Sequence, residues 1–177
     1  MLRIMKNLLF LTLLALMVSC KEGPQKPLRY ADVDTSSKDV LHLTDPDDYY
    51  YSLEDLIEAS QGKVVYVNFW ASYEFGFKES MRALEKLEKE MPKENFKIIN
   101  ICLDAVMLPF EQHLRITTLE HNYIARGFED SNFAEEYDFV ALPRFMLYDR
   151  KGKLIDNNAM APTNENLEST LQLLIEQ

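Results

Sequence analysis

Several signatures of familiar chemistry are missing from this chain, and each gap narrows what it does. It holds no glycine-rich loop for cradling phosphates and no nucleophile elbow. The three histidines, His42, His113 and His121, are scattered, and the spacing of eight between the last two fits no compact metal motif. Asp45, Asp47 and Asp48 lack the glycine and closing glutamate of a hand-type calcium loop, so they read as a solvated loop. No cofactor and no metal is expected. Basic residues are in deficit, with 19 Lys and Arg against 29 Asp and Glu, a formal charge of −10. A surface of that sign repels phosphate backbones, and no basic patch interrupts it, which argues against nucleic-acid binding. Cysteine is scarce as well: only Cys20 and Cys102 are present.

What is there begins with a leader. Arg3 and Lys6 precede an apolar run from Leu8 to Val18, too short for a permanent transmembrane helix and suited to a secretory signal over residues 1–19. Leu16, Met17, Val18, Ser19 and Cys20 resemble the lipobox of bacterial lipoproteins, although Met17 stands where leucine is commoner. The resemblance implies cleavage before Cys20, a lipid on that cysteine, and attachment of a water-soluble body to a membrane of the bacterial cell envelope, at a periplasmic or outer-membrane face. The alternative is an ordinary signal peptide with a cysteine near its end. Residues 20–27, with Gly23, Pro24 and Pro27, then form a polar tether. With Cys20 lipidated, Cys102 is the sole free thiol. An exported chain is allowed disulfides, and this one has no pair from which to make one.

Residues 28–177 are the size of one domain with a sizeable core. The stretch 28–51 reads as a leading loop with one short edge strand. Ser52 and Asp55 predict a capped helix over Leu53 to Ala59. Lys63 to Trp70 and Phe96 to Leu103 are short, nearly all apolar, and rich in β-branched and aromatic residues, as strands buried on both faces are. Between them Met81, Leu84, Leu87 and Met91 mark the inner stripe of a helix from Phe77 to Met91, with Glu85 and Lys89 as an i,i+4 pair. This βαβ unit predicts a parallel pair. Pro109 suits the start of a helix through Leu114. Residues 116–130 read as loops with one short strand, and Asn132 with Glu135 predicts a capping box on a helix to Tyr137. Arg144 to Tyr148 and Lys153 to Ile155 are strands about a turn. A last helix runs from Asn164 to Glu176, with Thr163 as its cap and Leu167, Leu171 and Leu174 facing inward. The fold class is α/β, a mixed central sheet flanked by helices.

From Tyr50 to Gln177 the chain resembles the thioredoxin-like superfamily, in its envelope branch of thiol–disulfide interchange lipoproteins, of the cytochrome-maturation and alkyl-hydroperoxide-reductase-like kind. Gly62 to Ser72 (GKVVYVNFWAS) is similar to the strand leading into that family's active site. Leu142, Pro143, Arg144, Phe145 and Met146 are similar to its cis-proline loop, and Tyr148 to Leu154 to its closing hairpin. The family continues with an aromatic residue, Cys-x-x-Cys and a basic residue. Here the continuation is Tyr73, Glu74, Phe75, Gly76, Phe77 and Lys78. Glu74 therefore stands at the position matching the nucleophilic cysteine and Phe77 at the position matching the resolving one, so the motif reads as lost and no catalytic residue is assigned.

Thioredoxin-type exchange needs a thiolate stabilised at a helix start and a second thiol to resolve the mixed disulfide. A glutamate carboxylate and a phenylalanine supply neither. Cys102, late in the second central strand, reads as a buried core thiol. The resemblance places a substrate groove between Tyr73, Glu74, Phe75 and Phe77 on one side and Leu142 with Pro143 on the other. Exposed aromatics beside a charge suit an envelope peptide or protein as partner. Three functions stay open: a redox-inactive binding lipoprotein, an oxidoreductase or peroxidase-like enzyme relying on Cys102 or a partner thiol, and a structural component of an envelope assembly.

Overall fold

A computed structural model describes residues 27–177. The leader and Cys20, with the signal and lipidation expected there, lie outside the described residues. Seven strands are present among them: β1 (His42–Thr44), β2 (Tyr50–Ser52), β3 (Val64–Trp70), β4 (Phe96–Cys102), β5 (Asn122–Ala125), β6 (Arg144–Tyr148) and β7 (Leu154–Asp156). Five α-helices accompany them: α1 (Leu53–Glu58), α2 (Phe77–Glu90), α3 (Met107–Leu114), α4 (Phe133–Glu136) and α5 (Leu167–Ile175). The strands form one mixed sheet in the order β2-β1-β5-β4-β3-β6-β7. β3, β4 and β5 run parallel to their neighbours in that trio, and the outer pairings are antiparallel.

All seven residues of β3 are buried, because each face of the sheet meets its own apolar layer. Val64, Tyr66 and Trp70 point to the side covered by α2, α3 and α5, where Met81, Leu84, Phe110 and Leu171 pack. Val65, Val67 and Phe69 point to the other, against Leu53, Leu56 and Phe133 of α1 and α4. Removing one such side chain from water is worth roughly 1.5–3 kcal/mol, so the two central strands anchor both layers.

The middle of the α2 side holds a polar row instead. Asn68 donates to Asn100 (2.6 Å), and Asn100 donates to Asn122 (2.8 Å) and lies 3.2 Å from Nε2 of His113. The three asparagines are register partners on β3, β4 and β5, and Asn122 donates on to the Leu119 carbonyl (2.6 Å). Buried amides are tolerated when they satisfy one another in this way.

Several local expectations are corrected. The leading segment contributes two strands, not one, because β1 gains an inner partner in β5 while β2 pairs outside it. Glu85 does not serve as a partner for Lys89. Its Oε1 accepts from the Thr117 hydroxyl and the Thr118 amide, fastening α2 to the loop before β5. Asn132 makes no cap bond, since its side-chain amide donates to Asp39. The last helix starts at Leu167 because residues 164–166 form a tight turn, with the Asn164 side chain accepting from the Asn166 amide, so Thr163 caps nothing. The Ser52–Asp55 capping box of α1 is present in full, and α3 carries Pro109 within its first turn.

Candidate functional site

The loop joining β3 to α2 starts where Trp70 leaves the sheet. Asp104, buried just past β4, fixes its second residue: Oδ2 and Oδ1 accept from the Ser72 amide and hydroxyl, both at 2.8 Å. The Glu74 amide donates to the Ala71 carbonyl (3.1 Å), closing a turn. Gly76 then takes φ +84°, a left-handed conformation that glycine adopts at little cost, and α2 begins. The tethered turn leaves its side chains pointing apart. Tyr73 and Phe75 are 78% and 101% exposed.

Glu74 lies between them, half-buried. Its Oε1 is shut off from water with no hydrogen-bond partner, and the first turn of α2 receives no side-chain cap from it or any other residue. Burial disfavours the charged form and pushes the carboxyl up to about 7, more than the Ala71 amide pulls it down.

The opposite wall comes from two other segments. Phe128 and Glu129, in a 3-10 turn after β5, face the stretch 139–142. Phe139 is wedged edge-on against Phe69 and Phe128, each at 5.3 Å between centroids, with the Arg144 guanidinium 5.3 Å over its ring. Arg144 is buried and donates to the Tyr137 and Asp138 carbonyls, pinning the chain ahead of the Leu142–Pro143 peptide bond, which is cis. Val140 stands 81% exposed on the rim. Together these walls enclose an open cleft of about 380 Å³.

Tyr73, Glu74, Phe75 and Leu142 line that cleft, while Phe77 and Pro143 do not. Phe77 is a correction with a plain cause. It is already the first residue of α2, and helical spacing puts it on the same stripe as Met81 and Leu84. There it stacks on Trp70 (4.7 Å, 27° between planes) and meets His113 edge-on (5.7 Å), filling core space. Leu103, Phe128, Glu129, Phe139, Val140 and Ala141 also line the cleft, outside the groove residues read from the sequence. The run Phe139 to Leu142, apolar and just before Pro143, was the available signal for half of them.

Cys102, at the end of β4, is fully buried. Its Sγ lies 3.3 Å from Asp104 Oδ2, to which it donates, and burial beside that carboxylate pushes the thiol well above the ordinary cysteine range. It is not part of the cleft lining. Among the described residues no group of three His, Cys, Asp or Glu side chains is placed to hold a metal ion, and no helix is long and apolar enough to cross a membrane.

A central parallel trio flanked by antiparallel strands, with the β3–α2 loop facing a proline loop across a cleft, defines a thioredoxin-like protein. Residues 62–154 match the family described as thioredoxin-like, and the chain belongs to it. No curated protein matches the chain. Among solved structures it is similar to a thiol-disulfide oxidoreductase from Bacteroides fragilis, at 25% identity over 78% of this chain and 98% of that one, TM-score 0.62. The thioredoxin domain of a thiol-disulfide oxidoreductase from Bacteroides vulgatus shares the fold at 17% identity, covering 81% and 98%, TM-score 0.65. So does an exposed lipoprotein thioredoxin of Streptococcus pneumoniae, at 19% identity, covering 78% and 99%, TM-score 0.54.

Proposed function

We propose that this thioredoxin-like chain binds an extended peptide or protein segment in the cleft between Tyr73 and Leu142 and carries out no dithiol–disulfide exchange. The observation that carries the reading is the full exposure of Phe75, beside the largely exposed Tyr73, on the rim of an open cleft. Aromatic side chains held in water by a tethered turn add nothing to folding, while aromatic anchors dominate interfaces. The loss of exchange rests on residue chemistry. Glu74 and Phe77 occupy the positions where the resemblance puts the two cysteines, and neither can form or resolve a mixed disulfide. Cys102 is sealed in the core with a raised pKa, which counts against the oxidoreductase reading that would rely on it. We also read Cys20 as lipid-bearing, which places the domain at the cell envelope. The lipobox-like run and the similarity to an exposed lipoprotein thioredoxin support this.

An array of extended peptides tests the reading. Binding should occur to the wild-type protein and weaken about tenfold or more in Tyr73→Ala and Phe75→Ala. Binding that survives both substitutions moves the site elsewhere. In parallel, an insulin-reduction assay with dithiothreitol should run no faster than the blank, and a rate above it contradicts the non-redox half of the reading.

A further inference from the structure

We propose that the cleft selects segments carrying a lysine or arginine among apolar residues, the cation being received by the carboxylates of Glu74 and Glu129 on the facing walls. The inference rests on the peptide-binding reading above and adds the chemistry of the occupant. Ten residues line the cleft, and the two charged ones among them, Glu74 and Glu129, are both acidic. The other eight are aliphatic or aromatic, so the side-chain charge in the lining is of one sign. An apolar segment bearing an anion would meet repulsion here, and a neutral one would leave the carboxylates desolvated without compensation.

Glu74 is the sharper of the two. Glu129 is exposed and hydrated, whereas one oxygen of Glu74 has neither water nor protein as partner. The start of α2 does not neutralise it by a cap bond. A cation docking from the cleft meets the accessible part of this half-buried carboxylate and offsets its charge, while the enclosed Oε1 stays out of its reach. The flanking rings of Tyr73 and Phe75 favour the same visitor, because aromatic faces attract lysine and arginine. The formal charge of −10 steers such segments toward the protein at low ionic strength.

The test uses the full chain, immobilised and panned with a random displayed decapeptide library at about pH 8, where Glu74 is ionised. The selected peptides should be enriched in lysine or arginine next to aliphatic or aromatic residues. The best binder is then made with a fluorescein label, its basic residues kept or replaced by glutamine, and titrated by anisotropy. Replacement in the peptide and Glu74→Gln in the protein should each weaken binding about fivefold or more, and the two losses should overlap when combined. The peptide-side change needs no protein variant, so a folding defect in the protein cannot mask the result. Selected peptides without a basic excess, or an affinity that Phe75→Ala lowers and Glu74→Gln leaves intact, overturn the cation preference and keep the binding cleft. Binding that survives both Tyr73→Ala and Phe75→Ala moves the site away from this cleft, an absence of any selected peptide overturns the peptide-binding reading, and either result takes the preference with it.

Discussion

The asparagine row at the centre of the sheet and the loop that opens α2 both keep polar atoms away from water, and they handle them in opposite ways. In the row, the amides of Asn68, Asn100 and Asn122 bond to one another, with His113 and the Leu119 carbonyl taking up remaining groups. In the loop, a carboxyl oxygen of Glu74 is buried without a partner while Tyr73 and Phe75 stand in solvent. A carboxylate is costlier to desolvate than an amide, so the harder group has the poorer surroundings. The row follows folding logic and the loop does not. Local departures of this kind concentrate where a protein meets something else.

Breaking the row should have the largest effect. Asn100→Leu leaves the Asn68 amide, the Asn122 carbonyl and His113 without their shared partner. At about 1–3 kcal/mol for each orphaned group, urea denaturation should show a loss of about 3–5 kcal/mol. A loss below about 1 kcal/mol means the row relaxes easily and differs little from the loop in how it holds its polar atoms.

Phe75 in the loop and Phe77 at the start of α2 should part in the same way. Phe77→Ala removes a ring stacked on Trp70 and should cost about 2–3 kcal/mol of stability. Phe75→Ala removes a fully exposed ring and should change stability by no more than about 0.5 kcal/mol, its effect falling on binding. Equal stability losses would contradict the division between a core residue and a rim residue.

Glu74→Gln should change stability less than Asn100→Leu or Phe77→Ala, as a gain whose size depends on pH. The folded carboxyl titrates at about 7 against an ordinary 4.5, so the folded state holds the proton more tightly. Its contribution is fully present below about pH 4.5 and is lost as pH rises through 7. The neutral glutamine escapes that loss. Discounted for the group's partial exposure, the gain at about pH 8 is roughly 1 kcal/mol, or about 2–4 °C in Tm, and near pH 4 the two proteins should melt together. A variant less stable than wild type at pH 8 would mean that the carboxylate has a stabilising partner after all.

The central strands were legible in the sequence because β3 and β4 are unbroken apolar runs that need both faces covered. α1 was legible because its cap is local, Ser52 to Asp55. What was missed depends on distant segments. β1 is a strand because β5 lies beside it, and nothing in His42, Leu43 and Thr44 announces that. Glu85 turned to the Thr117–Thr118 loop and Asn132 to Asp39, choices between a local partner and a tertiary one that spacing alone does not decide. The cleft was legible by halves for the same reason. Tyr73, Glu74, Phe75 and Leu142 flank recognisable motifs, while Phe128 and Glu129 reach it only through the fold. Phe77 was placed wrongly because the first turn of α2 directs its ring inward onto Trp70, a tertiary contact that its place at the helix start does not reveal.

A thioredoxin-like frame without a reactive thiol should show in the behaviour of Cys102. In a Cys20→Ser protein, a thiol-labelling reagent should react slowly with Cys102 across about pH 6–9 and fast only once the chain is unfolded, the behaviour of a buried thiol with a raised pKa. Rapid labelling of the folded protein, with a midpoint well below the free-cysteine value of about 8.5, would reveal an activated thiolate and contradict the account.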